Sequence, residues 1–280
     1  VATAKERAFQ KKVKELVGKA NSMENAAVKR AIKLLSAARK DVAATVASTE
    51  WEAYHLPELK AAIERTMRGF GTQYGIDLRD AQMEFWNHGI DMVDLPIRKV
   101  GIYAVIPEID MAALGIMQDF SADLVVNLGK SAARKITQQM SMGIIGQKSP
   151  YDVMQAVGRN LKDKSIFKSI AARAETITRN ECGRVLEMAS QARRKRAAEV
   201  VPGLGKEWKH GATSRVPRLS HVAADGQKRK VDEDFDIGGE KLSFPRDPKG
   251  SAKNTINCGC YTIPWHPDWD AAVEAQGTAA

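Results

Sequence analysis

Hydrophobic residues recur at helical spacing through most of this chain. Phe9, Val13, Leu16, Val17 and Ala20 form one stripe, and Val28, Ile32, Leu35, Val42 and Val46 form a second. Between them Asn21-Ser22-Met23-Glu24 has the composition of a cap, so two helices are expected there. Pro57 suits a first helical turn and precedes Leu59, Ile63, Met67, Phe70 and Tyr74, while Gly69, Gly71 and Gly75 predict a kink or break near Gly71. A further helix is read from Asp77 to Asp94, closed by Leu95-Pro96, because a residue before proline avoids the helical region. Val100 to Ile106 is an apolar run short enough for a strand or a buried extended linker.

Beyond Glu108 the helical period returns. Phe120, Leu124, Val125, Leu128, Ile136 and Met140 predict a helix ending near Gly146, Ser149-Pro150 opens a short one, and Lys164 to Val200 is the longest uninterrupted candidate. After Pro202 the pattern changes to short extended runs. Asp225-Gly226 and Gly238-Gly239 are turn dipeptides, and Thr255 to Ile263 reads as a terminal strand. The expected fold is mainly α, with long helices and a small C-terminal α+β module of β-hairpins and a terminal strand. A boundary near Glu108 separates an all-helical region, 1–107, from a second part, 108–280, made of helices over 108–200, a small β region over 201–265 and a tail over 266–280. So small a β region cannot cover every helical stripe. The long helices are therefore expected to present surfaces to other subunits, and the β region to fold against the 164–200 helix rather than alone.

At 44% hydrophobic the 280 residues can bury a real core, and no run of about 18 apolar residues predicts a membrane span. The Lys-rich start from Lys5 to Lys19 lacks the apolar stretch of a secretory signal, so a soluble, unexported protein is expected. Three cysteines, Cys182, Cys258 and Cys260, are too few and too scattered for a disulfide framework and suit a reducing cytoplasm. The formal charge of +9 is unevenly placed. Residues 166–230 carry 15 basic against 6 acidic side chains, whereas 231–280 carry 4 against 9. Such a basic middle suits a polyanion. Its densest run, Arg193-Arg194-Lys195-Arg196, is the candidate DNA contact; the other reading is a solubilising helix end.

The second part carries an ordered series: Gly146-Gln147-Lys148-Ser149, then Ala171 to Thr176, Arg179-Asn180-Glu181 and Gly183-Arg184. It continues with Glu207-Trp208, His221, Asp225-Gly226, Val231 to Phe235, Gly238-Gly239, Asp247-Pro248-Lys249-Gly250-Ser251-Ala252 and Ile256-Asn257-Cys258-Gly259-Cys260. In order and spacing this set resembles the phage Mu protein F-like head morphogenesis family over about residues 108–265. Two positions depart from the family's pattern, the acid-free stretch after Trp208 and Gly259 between the cysteines.

The resemblance implies a minor head (minor capsid) protein of a tailed bacteriophage, a virion component near the portal inside the capsid, with a role in head assembly, DNA packaging or DNA ejection. Its implied partners are the portal protein, the major capsid protein and packaged double-stranded DNA. The host cytoplasm is its expected location during assembly, with no membrane, no cofactor and no catalysis. Two other classes stand beside it: a phage-encoded enzyme or toxin-like module of nuclease or ADP-ribosyltransferase type, and a DNA-binding protein outside the virion.

Individual residues carry their own alternatives. Glu175 and Arg179, at i,i+4, form an ion pair on a helix, and with Arg184 they could instead dock the helix on the β region or the portal. His221 and Asp225 could pair as acid and base, but no nucleophile accompanies them, and the expected role of Asp225 is to hydrogen-bond its own turn. Cys258 and Cys260, alternating along a strand, would face one side and could hold zinc with His221 or Cys182. A Cys-x-Cys pair lacks the two-to-four-residue gap usual in zinc knuckles, so small buried hydrophobes are the leading reading and no metal is expected. Trp208, Asn257 and Gly226 are read as parts of the structural motif.

Overall fold

The structure, a computed structural model, describes residues 3–47, 55–162, 164–211 and 217–269. Five helices come first: α1 (Ala4–Ala47), α2 (Leu56–Lys99), α3 (Ala112–Ile144), the short α4 (Pro150–Val157) and α5 (Ile166–Val200). The small elements β1 (Gly205–Lys209), α6 (Leu219–Ala223), β2 (Lys228–Lys230), β3 (Phe235–Ile237), β4 (Glu240–Leu242), α7 (Ala252–Thr255) and β5 (Tyr261–Trp265) follow. The fold is mainly α with a small C-terminal α+β module. No helix among the described residues is long and apolar enough to cross a membrane.

Three expected helix breaks are absent. The chain stays helical through residues 21–24, where the Ser22 hydroxyl donates to the Gly18 carbonyl 3.1 Å away instead of capping a new helix. It stays helical at Gly71 because that residue serves packing. On α3, a Cβ placed on Gly129 would lie 2.6 Å from the Met67 carbonyl oxygen and 3.7 Å from the Gly71 Cα, so the bare backbones of α2 and α3 approach here. α2 also continues past Pro96 for one turn, since Val93 and Ile97 are buried in a cluster with Ala197, Val201 and Leu204 that outweighs the local preference. Val100 to Ile106 forms no strand. It is an extended linker in which Ile102, Ala104 and Ile106 pack on that cluster while Tyr103 and Val105 face solvent.

The chain divides into two compact units of interleaved segments, 1–24 with 82–115 and 180–280, and 25–81 with 116–179. The position near Glu108 falls in the linker inside the first of these. In the second unit Tyr74 donates its hydroxyl to the Ala174 carbonyl at 2.8 Å, and Arg30 pairs with Asp77. In both units much of each apolar stripe is buried, with Phe9, Leu16, Leu35, Ile63 and Met67 at most 4% exposed, while Ile116 and Phe120 on α3 stay exposed.

The first unit carries the module. A three-stranded antiparallel sheet has the order β2-β1-β5, and β3 and β4 form a separate hairpin. Gly238 and Gly239, at φ 61° and 89°, make its two-residue turn, a backbone that other residues adopt at a cost. The expected strand over Thr255 to Ile263 is shorter, because α7 and a turn through Asn257 at φ 55° occupy its first half.

The module rests on α5 through a buried polar stripe. Arg184 donates to the Arg246 carbonyl at 3.1 Å, Gln191 to the Val231 carbonyl at 2.6 Å, and Arg194 to the Thr262 hydroxyl at 2.5 Å. Thr262 in turn donates to the Glu187 carboxylate at 2.5 Å. These positions fall three or four residues apart, so one helix face meets the sheet. The adjoining face meets α2: Ser190 donates to the Gly89 carbonyl at 2.9 Å, and Arg193 grips Asp94 through two bonds of 2.8 and 2.7 Å.

Candidate metal centre

His221, Cys258 and Cys260 come together from two stretches of chain about 37 residues apart. His221 sits on α6, and both cysteines lie in the turn between α7 and β5, not on a strand as expected. The backbone there is forced to curl by the left-handed Asn257, and Gly211 lies so close to the Gly259 carbonyl that a Cβ at Gly211 would overlap it. Both sulfurs consequently face His221. Their distances to its Nδ1 are 3.5 Å for Cys258 and 3.4 Å for Cys260, and the three candidate ligand atoms lie within 4.8 Å of one another.

The imidazole is oriented from behind. Asn254 on α7 donates its amide N–H to the Ile237 carbonyl at 3.2 Å, which turns its oxygen toward His221. The His221 Nε2–H then donates to that oxygen at 3.3 Å. This fixes the tautomer and leaves the Nδ1 lone pair aimed at the two thiols. Around them Trp208, Ala224, Phe235, Ile237 and Leu242 form an apolar shell, with Trp208 edge-on to Phe235 at 5.3 Å and to His221 at 6.1 Å. His221, Cys258 and Cys260 are all buried.

Of the two sulfurs, Cys258 is the one set for charge. The hydrogen bond between the two sulfurs holds the Cys258 pKa down, and the same contact, with burial, pushes Cys260 up. Backbone N–H groups add to this, that of Cys260 favouring the Cys258 thiolate and that of Gly211 the Cys260 thiolate. The indole N–H of buried Trp208 has no nitrogen or oxygen acceptor, and its interaction with Cys260 also favours the thiolate.

The other expected residues are placed differently. Asp225 does not face His221. Its carboxylate accepts from the His210 backbone N–H at 2.7 Å and so ties the end of β1 to the Asp225-Gly226 turn, not its own turn as expected. Glu175 and Arg179 form their ion pair at 3.0 Å in the second unit, and Arg179 also reaches the Asn25 side chain. Arg184 docks α5 on the module and pairs with Glu181 at 2.9 Å, while Gly183 leaves the space in which the Arg246 guanidinium lies against the helix. Cys182 is buried on α5 and is not part of the cluster.

The Arg193–Arg196 run needs correction. Some of its side chains were expected to reach solvent and none to need packing in the core, yet Arg194 is fully buried, and Arg193 is half-buried and held by Asp94 and by the Ile106 and Pro107 carbonyls. Only Lys195 and Arg196 project outward, beside Asp232 and Glu199. The reason is geometric: consecutive helical residues step by about 100°, and α5 is enclosed by α2 on one face and the sheet on another. Asn254, Glu187 and Gln191 were missed. The 184, 187, 191, 194 spacing was the signal for the last two, whereas nothing local marks Asn254.

Comparison with known proteins finds a partial relative. The chain is 36% identical over 114 residues to "Uncharacterized protein YqbB" of Bacillus subtilis (strain 168), a match covering 40% of this chain and 36% of the relative. The match thus spans about a third of the relative's length, and the relative's description assigns no activity. No family model matches the chain, and no solved structure does.

Proposed function

We propose that this chain is a minor head protein of a tailed bacteriophage, located inside the capsid near the portal and acting in head assembly, DNA packaging or DNA ejection. The observation that carries the reading is the ordered motif series from Gly146 to Cys260, whose members from Gly183 onward form one framework. Gly183 and Arg184 receive Arg246, Trp208 packs on His221 and Phe235, and the Asp247 carboxylate accepts from the Ser243 and Lys249 backbone N–H groups at 2.8 and 3.0 Å. A series whose members hold one another in place marks a module of fixed shape, suited to assembly with other proteins.

Partner binding is supported by the linker before α3. Tyr103 and Val105 are 81% and 92% exposed on an extended segment, a surface that suits a portal or capsid protein. Binding to packaged DNA falls to Lys195 and Arg196, through phosphates and without sequence reading. Particles assembled with the gene deleted are compared with normal ones by composition and infectivity. Loss of infectious heads is expected, and unchanged heads with full infectivity would overturn the proposal.

A further inference from the structure

We propose that His221, Cys258 and Cys260 bind one zinc ion, which staples the C-terminal module. The case starts from hydrogen-bond arithmetic. With Nε2–H committed to Asn254, Nδ1 has one in-plane lone pair, yet two thiols stand at 3.4 and 3.5 Å from it. One lone pair serves one S–H well. A cation at the centre serves all three atoms at once.

The distances agree with that occupant. Zinc bonds of about 2.0 Å to nitrogen and about 2.3 Å to sulfur at tetrahedral angles place nitrogen and sulfur about 3.5 Å apart. Both N···S separations fall there without rearrangement. The donor set of one imidazole and two thiolates is soft, which favours zinc over the oxygen-seeking magnesium or calcium. The supporting partners are those of a metal site: a carbonyl-type oxygen behind the histidine and N–H donors aimed at the sulfurs. The left-handed Asn257 also removes the objection from spacing, since the turn brings both sulfurs to one side with a single residue between them. Three protein ligands leave one tetrahedral position for solvent or an external donor. The cluster's burial assigns the ion a structural role, joining α6 to the turn before β5.

The test uses the full chain. Metal content after purification is measured directly, and the stripped, reduced protein is titrated with Co(II). One equivalent of zinc is expected, together with an intense thiolate-to-cobalt charge-transfer band and the visible bands of a tetrahedral site. Cys258→Ser and Cys260→Ser should lose the band, Cys182→Ser should keep it, and Asn254→Ala should weaken binding about 10- to 100-fold. Far-UV circular dichroism checks that each variant is helical. If the serine variants unfold, the wild-type cobalt spectrum still decides. A wild-type chain that binds no stoichiometric zinc and gives only the spectrum of hydrated cobalt would overturn the proposal, as would a band lost in Cys182→Ser and kept in the other two.

Discussion

Arg194→Met tests whether the basic run is a surface feature or part of the core. Methionine keeps the length of the side chain while removing its charge and donors. Arg194 donates to Gln191 at 3.1 Å and to Thr262 at 2.5 Å, and its charge faces the fully buried Glu187. Burial is the main force on Glu187 and raises its pKa to about 7, with Arg194 the largest influence in the other direction. An acid whose folded pKa is raised contributes stability that is complete below its unfolded value of about 4.5 and is lost as pH rises through about 7. Without Arg194 the carboxyl stays protonated to still higher pH, and that loss continues upward. Near pH 6, where Glu187 is largely neutral in both proteins, the substitution should cost about 1.5–3 kcal/mol in charge-assisted hydrogen bonds. By pH 8 the cost should reach about 3–5 kcal/mol, the range for removing one partner of a buried pair, growing by at most about 1.4 kcal/mol per pH unit. With a urea slope of about 2 kcal/mol/M, the pH 8 figure is a midpoint shift of about 2 M. Lys195→Met, one residue along but exposed beside Asp232, should shift stability by less than about 1 kcal/mol at either pH. Equilibrium urea unfolding followed by fluorescence and circular dichroism gives both. Equal midpoints for the two variants, or an Arg194→Met cost that does not grow with pH, would refute the buried pair.

Three further outcomes follow from particular neighbours. Gly89→Ala should destabilise by about 1–3 kcal/mol, because the new Cβ would overlap the Leu186 carbonyl oxygen and lie 2.7 Å from the Ala189 Cβ, whereas Gly69→Ala, with open space around it in a helix, should stabilise by about 0.5–1 kcal/mol; melting temperatures that move together would contradict this. His88 has its pKa lowered by burial, so its contribution is present above about 6.5 and is lost as pH falls through the lower folded value. His88→Gln should flatten that acid limb in urea midpoints taken across pH, and an unaltered limb would remove His88 as its source. Lys195→Ala with Arg196→Ala should weaken binding to all DNA sequences alike and flatten the log–log salt dependence by about 0.9 for each phosphate no longer neutralised, with an unchanged slope showing that neither side chain meets phosphate.

Sequence periodicity found the helices but not their continuity. The stripes through Phe9 and Val28 and the proline at position 57 located α1 and α2, because amphipathic spacing reports which face is buried. The breaks read at residues 21–24, Gly71 and Pro96 rested on residues whose local preferences amount to about 1–3 kcal/mol each, and the packing of Ile97 or of the Gly71–Gly129 approach outweighs that. Turns were more readable. Gly238-Gly239 has little alternative to a tight hairpin, whereas Thr255 to Ile263 looks extended throughout because composition does not reveal that Asn257 turns the chain back.

The candidate site was half legible for a related reason. His221, Cys258 and Cys260 were visible as ligand types, and the argument against a metal came from their spacing, which has meaning only for a stated backbone. On a strand the two thiols would stand about 7 Å apart along one face, while the turn through Asn257 brings them to a common neighbour. The basic run fails as a surface signal in the opposite direction. Four consecutive helical residues sweep most of the circumference, so a helix enclosed on two faces must bury about half of any such run. Arg194 took the buried position and Arg193 a half-buried one, and they found Asp94, Thr262 and the neighbourhood of Glu187. The excess positive charge counted between residues 166 and 230 therefore overstates what a polyanion meets, since Lys206 too is buried, its ammonium donating to the Ser243 carbonyl at 2.8 Å and its pKa lowered by burial to about 7. A field that reaches DNA must come from side chains that project as Lys195 and Arg196 do, and charge bears on binding only after burial has been subtracted from it.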